Sequence, residues 1–117
     1  MTMPTPTEIT LHEQSRVLEI AFDDGARFNL PFEFLRVHSP SAEVQGHGPG
    51  QEVLQFGKKN VNITSVEPVG SYAMQITFDD GHDSGLYTWE RLYSFGKNQD
   101  AMWQAYLEQL KAAGKSR

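Results

Sequence analysis

The sequence predicts an α+β fold that is mainly antiparallel β-sheet and ends in a helix. Three observations support this class: short runs alternate apolar and polar residues, Asp-Asp-Gly turns interrupt them, and a helical apolar pattern closes the chain. The 117 residues fit one domain, because two halves would each fall near the minimum size for a hydrophobic core. We assign residues 7–113 to this domain, residues 1–6 to a flexible lead and residues 114–117 to a tail.

Alternation of apolar and polar residues predicts six or seven strands. In the first half they cover residues 7–12, 17–22 and 26–30, and a short helix follows over residues 32–37. In the second half, residues 52–56 form a weak strand, and residues 61–66, 72–78 and 84–87 form better ones. Between the halves, residues 38–50 contain two prolines and three glycines, which predicts a long loop.

The two halves share an internal echo. Asp23-Asp24-Gly25 and Asp79-Asp80-Gly81 each follow an alternating strand and precede another, which is the pattern of a β-hairpin turn. A strand-hairpin-strand-short-helix unit used twice explains the echo and predicts one sheet system with pseudo-twofold symmetry, in which Phe22 and Phe78 occupy equivalent buried places. Asp-Gly turns are common, so the echo alone does not separate duplication from coincidence.

Helix signals dominate the last third of the chain. Thr88 is a suitable N-cap for a short helix over residues 89–95, which we expect to stop at Gly96. Asn98 then caps a final helix that ends at Gly114. Its inward face is predicted to carry Trp103, Tyr106, Leu107 and Leu110.

Composition excludes several function classes. The chain has no cysteine, which removes disulfides, thiolate zinc sites, iron–sulfur ligation by this chain and cysteine nucleophiles. Its net charge of −5 disfavours nonspecific nucleic-acid binding. No stretch has the charge and apolar pattern of a secretory signal, and none approaches the roughly 20 apolar residues of a membrane span. We therefore expect a cytoplasmic protein that binds neither nucleic acid nor membrane.

Histidines are the candidate metal ligands. His38, His47 and His82 lie in or beside loops, whereas His12 is expected at a solvated strand end. Three imidazoles can bind zinc, but these residues lack the spacing of a strong metal motif. Paired carboxylates at the Asp-Asp-Gly turns suit turn formation better than catalysis. No phosphate-binding loop and no nucleophile–base–orienter set is visible, so we do not expect an enzyme.

Two segments resemble a known family. Residues 35–44 (LRVHSPSAEV) and 78–93 (FDDGHDSGLYTWERLY) are similar to the gamma-butyrobetaine hydroxylase-like N-terminal domain family, whose small stand-alone bacterial members were catalogued as a domain of unknown function. The resemblance runs from about Thr7 to Tyr93. In eukaryotic carnitine-pathway hydroxylases this domain precedes an iron- and 2-oxoglutarate-dependent catalytic domain. The catalytic residues lie outside it, so hydroxylase activity is not implied.

The resemblance also implies a metal position and a class of partner. The family's structural zinc is held by three cysteines, at positions that here carry Ser39, Ser41 and Val44, and by a histidine that matches His82. Loss of the thiolates predicts that His82 instead lies near Ser39 and Ser41 and holds their loop by hydrogen bonds, without tightly bound zinc. The family domain also occurs joined to Mrp-like P-loop ATPases of iron–sulfur cluster assembly.

These observations leave two functional hypotheses. The first is a non-enzymatic binding or adaptor module that acts with iron–sulfur or metal-related machinery, with an Mrp-like ATPase or another assembly factor as partner. Its interaction loop would contain His38, Ser39, Ser41 and His47. The alternative is a protein that binds zinc or iron through His82, with His38 and His47, and with carboxylates from residues 79–83. No cofactor is expected under the first hypothesis.

Overall fold

The structure is a computed structural model that describes residues 4–46 and 52–117. Two three-stranded antiparallel sheets pack with three helices, which confirms the predicted α+β class. The elements are β1 (Pro6–His12), β2 (Val17–Phe22), β3 (Arg27–Pro31), α1 (Phe32–Val37), α2 (Ala42–Gln45), β4 (Ile63–Val69), β5 (Ala73–Phe78), β6 (Leu86–Thr88) and α3 (Trp89–Ala113). One sheet has the order β1-β2-β3 and the other β4-β5-β6, so the expected single sheet system is in fact two separate sheets.

Both Asp-Asp-Gly segments are hairpin turns, as predicted. Gly25 and Gly81 adopt φ values of +90° and +88°, a backbone region that glycine enters without steric cost. The N–H of Gly25 donates to the carbonyl of Phe22 at 3.1 Å, and the N–H of Gly81 donates to that of Phe78 at the same distance. Local turn chemistry therefore determines both hairpins.

The structural repeat extends beyond these turns. The first strand of each sheet shifts register near its start, between Pro6 and Glu8 in β1 and between Ile63 and Ser65 in β4. Each first turn aspartate accepts a hydrogen bond from a backbone N–H before its sheet: Thr5 donates to Asp23 at 3.1 Å and Asn62 to Asp79 at 3.0 Å. The shared strand order and turn bonding confirm that the echo in the sequence is structural.

The main core lies where the two sheets meet α1 and α3. Phe22 and Phe78, the last residues of β2 and β5, are both buried, which confirms their predicted equivalence. Other buried residues come from both sheets and from the helices: Leu18, Ile20, Leu30, Phe32, Phe34, Leu35, Val61, Ile63, Met74, Ile76, Tyr87, Leu92 and Phe95. A smaller cluster of Val37, Tyr106 and Leu110 joins α1 to the second half of α3.

The end of the chain forms one 25-residue helix, so the predicted break at Gly96 is wrong. A side chain on Gly96 would overlap the ring of Phe28 from β3, so glycine permits close packing here. Asn98 does not start a helix; its amide donates to the carbonyl of Ser94 at 2.8 Å. Thr88 does act as N-cap, accepting from the N–H of Arg91 at 3.1 Å, and Gly114 ends the helix in a left-handed conformation.

Predictions for the middle of the chain need further correction. The region assigned to a long loop contains the short helix α2, and residues 52–56 form no strand. Their backbone bonds elsewhere: the N–H of Val53 donates to the carbonyl of Val44 at 2.7 Å, and the carbonyl of Gln55 accepts from the Tyr106 hydroxyl at 2.8 Å. Strand β4 runs through Pro68, although proline has no backbone N–H to donate. An edge strand such as β4 tolerates proline because an N–H that faces away from the sheet needs no partner. Tyr72, which was predicted to begin a strand over residues 72–78, precedes β5 and is exposed.

Both ends of the described chain contact the domain. Thr5 bonds to the first hairpin turn, as noted above, although residues 1–3 of the predicted lead lie outside the described residues. At the other end, Arg117 forms an ion pair with the buried Glu33 of α1 at 2.7 Å and lies over the Trp103 ring. None of the helices in residues 4–46 and 52–117 combines the length and apolar character that a membrane crossing requires.

Candidate functional site

The residue predicted to be most informative, His82, lies in a buried polar cluster. Its Nε2 is 2.8 Å from the hydroxyl of Ser39, and its Nδ1 is 3.1 Å from the carboxylate of Glu43. A carboxylate only accepts, so Nδ1 carries the proton and Nε2 accepts the Ser39 O–H. The predicted proximity of His82 to Ser39 is confirmed. We call Ser39, Ser41, Glu43, His82 and Ser84 the His82 cluster.

The serine hydroxyls of this cluster also organise the backbone before and within α2. The Ser39 hydroxyl accepts from the N–H of Ser41, and the Ser41 hydroxyl accepts from the N–H of Glu43, each at 3.2 Å. The Ser41 hydroxyl also lies 2.6 Å from that of Ser84, in the segment that follows the second hairpin. These bonds connect the start of α2 to the second half of the domain, as the predicted hydrogen-bonded loop requires.

Ser39, His82 and Glu43 have the order of a nucleophile, a base and an orienting carboxylate, which the sequence did not reveal. A nucleophile must reach its substrate, yet Ser39 is 0% exposed. Gly85 packs so tightly on it that a side chain there would collide with the Ser39 hydroxyl. The arrangement therefore leaves no room for an acyl group, and its geometry is that of a structural lock.

The donors of the His82 cluster do not fit the zinc site that the family resemblance implies. They provide one imidazole, the carboxylate of Glu43, which already bonds to that imidazole, and three neutral hydroxyls, which are weak zinc ligands. His82 Nε2 and the Ser39 hydroxyl already hydrogen-bond to each other, and Val44 contributes no ligand atom. Within residues 4–46 and 52–117, no three histidine or carboxylate side chains converge as a metal site would need. His47 lies outside the described residues.

Charge around the second hairpin is compensated by a separate network. Asp80 accepts from the guanidinium of Arg36 at 2.8 Å and from the ammonium of Lys58 at 2.7 Å. Burial alone would raise the pKa of Asp80, but the bonds from Lys58, the His82 N–H and Arg36 outweigh it and lower the pKa to about 2. The carboxylate therefore stays ionised and neutralises Arg36, which is buried on α1. The Asp79–Asp80 pair thus forms turn and ion-pair contacts.

Burial also sets the charge of the two described loop histidines. Desolvation, followed by the nearby charge of Arg36, lowers the pKa of His82 despite the opposing carboxylate of Glu43. His38 lies elsewhere: its Nδ1 donates to the carbonyl of Phe34 at 2.9 Å, and its ring packs against Phe34 and Phe95. Desolvation lowers the pKa of His38 as well. Both rings are therefore neutral at pH 7.

A groove beside the second half of α3 is an open concave surface. Its volume is about 650 Å³, within the range of ligand-binding clefts. We call it the α3 groove. Its lining residues are Val37, His38, Val44, Gln45, Glu52, Val53, Leu54, Gln55, Met102, Ala105, Tyr106, Gln109, Ala112 and Ala113. Of the predicted interaction loop, His38 reaches this groove, whereas Ser39 and Ser41 are buried in the His82 cluster.

Fold and site together define a small two-sheet α+β domain with a sealed polar cluster and an open, mainly apolar groove. Comparison with known proteins agrees with the resemblance noted in the sequence. The family described as gamma-butyrobetaine hydroxylase-like, N-terminal, matches residues 9–93. The chain belongs to this family. No curated protein matches it significantly.

Solved structures show the same fold. Two solution NMR structures are 52% identical to this chain with a TM-score of 0.85; the alignments cover 99% and 100% of this chain and 91% and 90% of the other chains. A crystal structure from Acidithiobacillus ferrooxidans, of a protein with unknown function in the DUF971 family, is 41% identical. It covers 75% of this chain and 88% of its own, with a TM-score of 0.63.

Proposed function

We propose that this chain is a non-enzymatic binding or adaptor module that recognises a protein partner through the α3 groove. The observation that carries the proposal is the contrast between the two candidate sites. Ser39, Ser41 and His82 of the His82 cluster are buried and hydrogen-bonded, whereas the α3 groove is open and displays apolar side chains such as Val53. Exposed apolar surface in a concave setting is typical of interaction sites.

The proposed partner is an Mrp-like ATPase or another iron–sulfur cluster assembly factor in the cytoplasm. Support comes from the family, in which this domain occurs joined to such ATPases. A domain that is fused to a protein in one chain can act with the same protein as a separate chain in another. The role is then to hold a partner, and the chemistry belongs to that partner.

A direct binding measurement tests the proposal. The purified chain is titrated with the Mrp-like ATPase of the same organism by isothermal calorimetry. Val53→Asp places a charge in the groove at an exposed position and is expected to weaken binding at least tenfold, since about 1.4 kcal/mol of lost contact has that effect. Leu86→Asp is the matched control, because Leu86 is an exposed apolar residue of β6 that does not line the groove. Equal effects of both variants would contradict the proposal.

We propose that the protein holds no resident metal. This part of the proposal rests on the donor set of the His82 cluster, whose imidazole and hydroxyls are engaged in hydrogen bonds within the cluster. Elemental analysis of protein purified without a histidine tag is expected to find zinc and iron far below one equivalent. Near-stoichiometric metal that is lost in His82→Ala would overturn this part and favour the metal-binding alternative.

A further inference from the structure

The C-terminal tail, which carries Lys115 and Arg117, meets the segment that follows the groove-lining residues Glu52 to Gln55. The N–H of Gly57 donates to the carbonyl of Ser116 at 3.1 Å. The ammonium of Lys115 lies 4.8 Å from the centre of the Phe56 ring. The chain therefore places its tail beside the segment that forms one wall of the groove.

Not all of these cations are neutralised within the domain. Lys58 pairs with Asp80, and Arg117 pairs with Glu33. Among residues 4–46 and 52–117, no carboxylate lies within ion-pair distance of Lys59 or Lys115. Lys115 therefore leaves an uncompensated positive charge at this edge of the groove, which attracts negative charge from a partner.

Exposed apolar side chains adjoin this positive charge. Val53 is 53% exposed and Phe56 is 49% exposed, although both are large and hydrophobic. Glu52 lies at one end of the lining segment. Phe56, which has Lys115 above its ring, follows the last lining residue, Gln55, at the other end. The groove has an apolar middle and one positive end.

His38 adds a hydrogen-bond acceptor to the groove. Its Nδ1–H donates to the carbonyl of Phe34, which leaves Nε2 as the unprotonated nitrogen. No described residue donates to Nε2, and no side-chain nitrogen or oxygen is buried without a partner, so Nε2 is open to solvent. The N–H groups of a peptide main chain can donate to this atom, whereas lipid acyl chains cannot.

We propose that the α3 groove binds an acidic peptide segment of the partner protein. Apolar side chains of that segment lie between Val53 and Tyr106, a carboxylate contacts Lys115 at the edge of the groove, and its main chain donates to His38. This inference rests on the proposed function and adds the chemistry of the bound segment. The α3 residues that line the groove lie beyond residues 9–93, so the family match does not imply the inference.

A selection from a random-peptide display library, performed on the full chain, tests the inference. The selected peptides are expected to combine Asp or Glu with aliphatic or aromatic residues. Synthetic copies are then titrated by fluorescence anisotropy. Lys115→Glu is expected to weaken their binding at least tenfold. Lys97→Glu, nearer the other end of α3, causes the same change in net charge and is expected to change affinity less than twofold.

The outcomes separate this inference from the proposed function. Peptides without an acidic bias whose binding is lost in Val53→Asp would overturn the inference and leave a protein-binding groove. Absence of any groove-dependent peptide would overturn both. As a third arm, vesicles of phosphatidylglycerol and phosphatidylcholine are offered to the chain. Vesicle binding that is lost in Lys115→Glu, without peptide binding, would overturn the inference in favour of a membrane surface.

Discussion

Replacing Ser39 by alanine tests whether the His82 cluster locks the fold. Ser39→Ala removes the hydroxyl that donates to His82 Nε2 and accepts from the N–H of Ser41. Both groups are buried, and each buried polar group without a partner costs about 1–3 kcal/mol. Since the methyl group of alanine occupies most of the former space, we expect a loss of about 2–3 kcal/mol in the free energy of unfolding.

Urea unfolding measures this loss. For a small domain whose free energy of unfolding changes by roughly 1–3 kcal/mol per molar urea, the midpoint is expected to fall by about 1 M or more. Ser15→Ala is the matched control, because Ser15 is exposed and its hydroxyl makes one long contact at 3.5 Å. Its effect is expected to stay within about 0.5 kcal/mol.

A double variant distinguishes the hydrogen bond from packing. Ser39→Ala combined with His82→Phe removes both partners, so no imidazole nitrogen is left unsatisfied. The double variant is expected to lose less stability than the sum of the two single variants. A Ser39→Ala loss below about 0.5 kcal/mol, or strict additivity in the cycle, would refute the view that this bond holds the α2 segment.

Three further predictions concern pH and packing. Because burial lowers the pKa of His82 and His38 below 6.5, the unfolded chain binds protons before the folded chain does as the pH falls. The free energy of unfolding should therefore be highest above pH 6.5 and decrease below it, and the decrease should be smaller in His82→Phe. A pH-independent midpoint in urea would contradict this. Gly96→Ala should destabilise by about 1–2 kcal/mol, because overlap with Phe28 outweighs the roughly 1 kcal/mol gain in helix propensity; thermal unfolding that shows stabilisation would show that the ring moves aside freely. Trp103→Ala should cost about 2–3 kcal/mol in urea, less than a fully buried tryptophan, because Trp103 is partly buried; a loss below about 1 kcal/mol would mark it as peripheral.

The predictable parts of the fold depend on neighbouring residues. Asp-Asp-Gly specifies a hairpin because glycine enters positive φ freely, and both turns formed as expected. Thr88 and Gly114 likewise begin and end α3 through contacts within a few residues of each. Gly96 shows the limit of such reasoning. A helix-breaking residue was tolerated because Phe28, distant in the chain, fills the space of the missing side chain.

The candidate site divides in the same way. The proximity of His82 to Ser39 was predictable from the family resemblance, since the flanking strands that bring them together remain. The contact of Glu43 with His82 and the ion pair of Arg36 with Asp80 were not predicted, because neither pair of residues has a characteristic spacing in the sequence. The α3 groove combines residues from four separate segments, so no local pattern marked it.

The sequence by itself determined the fold class, both hairpin turns, most strands and the absence of cysteine chemistry. These properties follow from backbone preferences and from alternation of side chains along short segments, both of which are local. The tertiary structure decided that α3 is continuous, that Ser39 is buried, and that the C-terminal tail lies beside the α3 groove. Burial and charge pairing depend on what the rest of the chain places against a residue, and that information is present only once the segments have packed together.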